Sequence, residues 1–142
     1  QQISHYNGTA TIVRGLPNAT TLIPSTNSLR FYNHLKADEM GVEMERAEFI
    51  IARSGYSTIM DIAALQKKSI LIPTPGQTEQ EYLAQYLSKK QFASWCTQKE
   101  FSIENSLAKA RGFSYKFIYP GDENKLNVAV SNLLKKMEQF QT

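Results

Sequence analysis

Short apolar runs alternate along this chain with stretches of helical spacing, and two of the runs, FII (49–51) and ILI (70–72), are apolar without interruption. A strand with one wet face alternates polar with apolar residues, whereas an uninterrupted run is that of a strand buried on both faces, as in a parallel sheet covered by helices. The alternation holds throughout. TATIVRG reads as a strand over 9–14 running into a glycine turn, and SLRFYN (28–33) as a second strand, joined by the proline-broken loop LPNATTLIPSTN. ADEMGVEMERA has helical spacing at Met40, Met44 and Ala47 with acidic residues early, and it leads directly into EFIIA as a strand. STIMDIAALQK, EQEYLAQYLSKK and SIENSLAKARG then read as helices, interleaved with SILI and FASWC as strands. The expected fold is α/β, a doubly wound, Rossmann-like parallel sheet.

A chain of 142 residues, 42% hydrophobic, is long enough to close one core and short for two, so one domain over 1–142 is expected. Toward its end, Asp122 is placed to cap an amphipathic helix over 122–141 whose apolar residues Leu126, Val130, Leu133, Leu134 and Met137 share a face. The piece before it, YKFIYPG, fits a strand or an extended linker equally. QQISHY at the start reads like the tail of a helix, which suggests a fragment cut from a longer protein.

The formal net charge of +3 comes from lysines scattered without a run of like charges. That mild bias suits a phosphate-bearing ligand or an anionic membrane surface, and an ordinary solvated surface gives the same figure. Cys96 has no cysteine partner in the chain, so a reducing, cytoplasmic setting is the simplest expectation. No apolar run approaches the roughly 18 residues that span a bilayer. His34 and His5 have no neighbours at zinc-ligand spacing, so neither a metal nor a cofactor is expected. The aromatic residues fit core and helix packing better than base stacking, and nucleic acid is not an expected partner.

In open parallel sheets ligands bind beyond the carboxyl ends of the strands, where loops lead into helix N-termini. ARSGYST (52–58) follows the strand EFII and opens the next helix. Gly55 would let a diphosphate approach the backbone, and free N–H groups and the helix dipole would favour its charge. The plainer reading is that Ser54 or Ser57 caps the helix and Gly55 makes the turn. Asp61 shares a face with Ser57 and Thr58, and a carboxylate among Ile59, Met60, Ile62, Ala63 and Ala64 needs a partner. The hydroxyls of a ribose would serve, and so would the dipole of the first turn. The second loop, PTPGQTEQ (73–80), is stiffened by Pro73 and Pro75 and turns at Gly76. Thr78 and Glu81 have capping-box spacing, which accounts for both, whereas Gln77 and Gln80 carry amides suited to sugar hydroxyls.

In this order and register, ARSGYSTIMDIAAL, SILIPTPG and QTEQEYLA resemble the C-terminal domain of glycosyltransferase family 28, from about Thr9 to Phe92. The resemblance implies the C-terminal half of a two-domain GT-B enzyme. That half binds a UDP-sugar donor, and the other half, absent here, binds the acceptor and supplies the residue that deprotonates it. A glycine-rich first strand and its helix are implied to precede Thr9. The enzyme would transfer a hexosyl group, with an N-acetylhexosaminyl group one option, from the cytoplasm, with peripheral contact at the inner face of the membrane. The family's serine-glycine loop falls on Arg53, Ser54, Gly55, Tyr56 and Ser57, near the pyrophosphate, and its ribose-binding acid on Asp61. Thr74, Gly76 and Gln77 line the donor from the second loop. The family's sugar-contacting glutamine pair falls on Gln80 and Glu81, and Ala84 stands where its peptidoglycan enzyme carries an asparagine; both positions depart from the N-acetylglucosamine pattern. His34 and Leu35 match the region framing the nucleotide base. A UDP-sugar epimerase would use the same scaffold. A flavodoxin-like binding module without catalysis is a second rival, although neither early strand supplies the acidic cluster of such receivers.

Overall fold

The computed structural model describes residues 2–116 and 123–140. The chain divides into two compact units, Gln1–Ala47 and Glu48–Thr142. Both are built of parallel strands and helices, as the alternation of apolar runs implies.

In the first unit, β1 (Ala10–Val13) pairs in parallel with β2 (Leu29–Tyr32), Ala10 opposite Leu29 and Val13 opposite Tyr32. Parallel neighbours need a crossover, and here it is an irregular loop whose backbone groups are met by side chains. Asn33 Nδ2 donates to the Ala19 and Thr21 carbonyls at 3.1 and 3.0 Å, and Arg14 Nη1 donates to Asn33 Oδ1 at 2.9 Å. α1 (Ala37–Arg46) opens with the Glu39 carboxylate accepting from the Lys36 N–H at 3.0 Å. Its Glu43 then accepts from Arg30 at 2.8 Å and from Thr11 Oγ1 at 2.9 Å, tying the helix to both strands. In the opening segment, Gln2–His5 is a single 3-10 turn, with Tyr6 N–H donating to the Ile3 carbonyl at 3.1 Å.

The second unit holds β3 (Phe49–Ala52), β4 (Lys68–Leu71) and β5 (Ser94–Trp95), all parallel and in the order β3-β4-β5. α2 (Tyr56–Leu65) and α3 (Thr78–Lys89) make the crossovers. Right-handed connections stepping in one direction put these two helices on the same face of the sheet. Both pack against α5 (Glu123–Phe140), while α4 (Ile103–Arg111) packs on β4. Ile59, Ile62, Ile70, Leu71, Leu83 and Leu87 are fully buried between sheet and helices. Val130 of α5 is also fully buried, so the amphipathic helix expected near the end docks on its own unit through that apolar face. The expected cap of that helix, Asp122, lies outside the described residues, as does most of YKFIYPG. Tyr115 and Lys116 at its start form no regular element, although Lys116 N–H donates to the Gln91 carbonyl at 2.8 Å and the Tyr115 hydroxyl to the Ser69 carbonyl at 2.9 Å.

Candidate donor site at the carboxyl edge of the sheet

The β3 ladder ends where Ile72 N–H meets the Ala52 carbonyl at 2.9 Å, and α2 begins at Tyr56 after three intervening residues. Its N-cap is Gly55, with extended backbone and no side chain closing the helix end. The first intrahelical bond runs from Ile59 N–H to the Gly55 carbonyl at 3.0 Å, so the N–H groups of Tyr56, Ser57 and Thr58 have no acceptor within the helix. A Cβ on Gly55 would meet nothing within 4 Å, and φ of −77° is open to any residue. Neither packing nor backbone geometry therefore requires a glycine here. Space and unfilled donors lie together at the positive end of the helix dipole.

The serines do not cap α2, contrary to the plainer expectation. Ser54 is fully buried and its hydroxyl donates to the Gln80 carbonyl at 2.7 Å, while Ser57 is exposed and lies two positions past the cap, Gly55. Ser54 therefore fastens the two loops and presents no hydroxyl to a ligand. Asp61 is exposed as well. Its neighbours in sequence are apolar, but helical rotation carries the carboxylate to the solvent side, so burial does not oblige it to find a partner. Tyr56 donates its hydroxyl to Asn127 Oδ1, which also accepts from Ser131, and so links the start of α2 to α5.

The loop between β4 and α3 is organised from within. Gly76 adopts φ of +81°, the left-handed region that favours glycine. Gln80 Oε1 accepts from Thr74 N–H at 2.9 Å, and Gln80 Nε2 donates to Gln77 Oε1 at 3.0 Å. Glu81 Oε1 accepts from Gly76 N–H at 3.3 Å. The expected Thr78–Glu81 capping box does not form, because the helix starts one residue earlier than that box requires. Gln77 is the N-cap and Thr78 the first helical residue, so Glu81 lies beyond the position that reaches back to the cap. Gln77 retains its amide N–H groups, whereas the Gln80 oxygen is committed to the loop. Ala84, where the family resemblance anticipates a ligand-facing asparagine, is fully buried.

Arg53 joins these loops. Its Nη1 donates to the Ile72 and Pro73 carbonyls, each at 3.2 Å, and its Nη2 to Gln98 Oε1 at 2.7 Å. All of these acceptors are uncharged. Hydrogen bonds from Arg53 and Ser54 thus join the loop after β3 to the loop and helix start after β4, while Asp61 stands exposed in the second turn of α2. His34 and Leu35 lie in the loop between β2 and α1, within the first unit. Gln98 and Asn127 were not anticipated. For Gln98 the available signal was position, since it follows β5 as Arg53 follows β3; for Asn127 no local signal exists. Among the described residues no cluster of His, Cys, Asp and Glu could hold a metal, and no helix is long and apolar enough to cross a membrane.

A family model described as glycosyltransferase family 28 C-terminal domain matches residues 25–136. Among curated proteins, the chain is 32% identical over 105 residues to the UDP-N-acetylglucosamine--N-acetylmuramyl-(pentapeptide) pyrophosphoryl-undecaprenol N-acetylglucosamine transferase of Desulforudis audaxviator, covering 72% of this chain and 27% of that protein. It is 36% identical over 86 residues to the protein of the same name from Microcystis aeruginosa, covering 57% of this chain and 24% of that one. The chain thus spans about a quarter of the length of the curated relatives it matches. No solved structure matches.

Proposed function

Because the chain belongs to the glycosyltransferase family 28 C-terminal domain family, matched over residues 25–136, we propose that its second unit binds the diphosphate of a UDP-sugar donor at the start of α2. One observation carries this reading: α2 opens at Gly55 with no side-chain cap and with empty space where a Cβ would project. Backbone N–H groups of Tyr56, Ser57 and Thr58 then donate to the phosphate oxygens, the Ser57 hydroxyl lies beside them, and Asp61 accepts from the ribose hydroxyls. Gln77 offers its free amide to the sugar, with Thr74, Gly76 and Glu81 framing it. Gln80 and Ser54 hold that frame to the α2 loop.

The reaction is hexosyl transfer by a GT-B enzyme of which this chain is the donor-binding part, with acceptor and general base on another domain. As the acceptor attacks the anomeric carbon, charge accumulates on the departing nucleoside diphosphate, and pre-aimed N–H donors in a fixed helix end stabilise it without reorganising. The names of the relatives specify N-acetylglucosamine and an undecaprenol-linked acceptor. Glu81 and the buried Ala84 support a donor sugar recognised differently, and a lipid-linked acceptor would bring the parent enzyme to the membrane surface. Titration of the isotope-labelled chain with UDP is the direct test. The amides of residues 55–58 should shift, and shift less with uridine; if UDP leaves them unmoved, the reading is wrong.

A further inference from the structure

A third loop at the same carboxyl edge reaches the site through Arg53. We propose that Gln98, beyond β5, is a positioning residue for the diphosphate site, fixing the Arg53 guanidinium as an unneutralised positive charge beside the start of α2. This rests on the donor reading above. The Ile72 and Pro73 carbonyls lie past the end of the β4 ladder, and Arg53 Nη1 satisfies both at 3.2 Å. That fixes one arm of the guanidinium fork. The other arm is held by Gln98 Oε1 at 2.7 Å, across 45 positions of sequence.

The chemistry of that partner matters. A carboxylate would bind the guanidinium more strongly, but it would cancel the charge. An amide oxygen orients the fork and leaves the charge whole. The acidic side chain on the same loop, Glu100, is bonded to Thr97 instead: its carboxylate accepts from the Thr97 hydroxyl at 2.8 Å and the Thr97 N–H at 3.2 Å. Arg53 leaves β3 two residues before Gly55 opens α2, and its guanidinium, pinned to the loops that follow β4 and β5, lies on the same carboxyl edge of the sheet as that helix start, so its positive potential adds to the helix dipole along that edge.

Substitution at Gln98 separates orientation from charge. Gln98→Glu keeps an acceptor for Nη2 and neutralises the guanidinium; Gln98→Leu removes the acceptor and leaves the charge loose. Binding of UDP and of inorganic pyrophosphate is measured by calorimetry at low and high salt, with thermal unfolding as the check on folding. Gln98→Glu should unfold no earlier than the parent chain, yet bind both probes about tenfold more weakly at low salt, and the deficit should shrink as salt screens the site. Gln98→Leu should lose about threefold, since the charge persists in a less fixed position. A folded Gln98→Glu chain that binds pyrophosphate as tightly as the parent overturns the proposal. If the parent binds pyrophosphate but not UDP, and Gln98→Glu weakens it, the donor reading fails while the role of Gln98 stands. If the parent binds neither probe, both fail.

Discussion

The loops after β3 and β4 are built to the same plan, a strand end, a glycine and a helix start, but they dispose of their backbone donors in opposite ways. After β4, the Thr74 and Gly76 N–H groups are taken up by Gln80 and Glu81, side chains of the helix that the loop itself begins. After β3, nothing caps α2, and the hydroxyl of Ser54, the residue before the Gly55 cap position, is fully buried and donates to the Gln80 carbonyl. One loop is closed on itself, and it braces the other, which is left open. A rigid closed loop beside an open one is a sensible division for a site that must present unfilled donors without collapsing onto them.

The comparison breaks most visibly if the open loop is closed. Gly55→Asp puts a carboxylate at the N-cap, where it accepts from the free N–H groups and meets the helix dipole favourably. Thermal unfolding should show a gain of a few tenths to ~1 kcal/mol. UDP binding should fall about a hundredfold, ~3 kcal/mol, because the same carboxylate occupies and repels the diphosphate site. Stability and binding moving in opposite directions is the signature. A Gly55→Asp chain that gains stability and still binds UDP would show that the open helix end is not the anion site.

Gln80→Leu breaks the closed loop instead. It leaves the Thr74 N–H without its acceptor and Gln77 without its brace, at a cost of about 1–3 kcal/mol in denaturant unfolding. UDP affinity should fall only about threefold, since the diphosphate donors sit on α2, but the preference for UDP-sugar over UDP should disappear. The elements on either side of both loops were legible in the sequence because periodicity and apolar runs are local signals, and every described strand and helix from β1 to α4 falls where a pattern announced it. The partners of the loop side chains were not legible. Whether Gln80 serves a sugar or the Thr74 N–H, and whether Ser54 caps α2 or ties down α3, depends on which groups the fold brings within 3 Å. Arg53 and Gln98 meet only because β3 and β5 flank β4.

A third test asks whether the two loops are insulated from the rest of the sheet. Tyr115 donates its hydroxyl to the Ser69 carbonyl in β4, and burial pushes that hydroxyl up to about 12. The folded state thus holds the proton more tightly than the unfolded chain, whose tyrosines titrate near ~10. The stabilisation is complete below that value and is lost as pH rises through about 12. Tyr115→Phe should flatten the decline of stability over this alkaline range and cost ~1 kcal/mol at neutral pH through the lost hydrogen bond. UDP affinity should be unchanged; a loss would mean that the sheet interior and the loops are coupled.

The smallest expected effect has the opposite sign for stability and the same insulation. Ser69 of β4 is fully buried, and among the described residues its hydroxyl has no hydrogen-bond partner. A buried hydroxyl left without a partner loses its water without compensation, and the site is close-packed, so removing the oxygen leaves little void. Ser69→Ala should therefore raise the unfolding free energy by about 0.5–1 kcal/mol, measured as a shift in denaturant midpoint at constant slope. Ser69 stands at the far end of β4 from Ile72 and Pro73, whose carbonyls hold Arg53. If stability rises and UDP affinity holds, the unused hydroxyl is a tolerated defect of the core; if affinity moves as well, β4 transmits to the open loop, and the bracing that separates the two loops extends into the sheet.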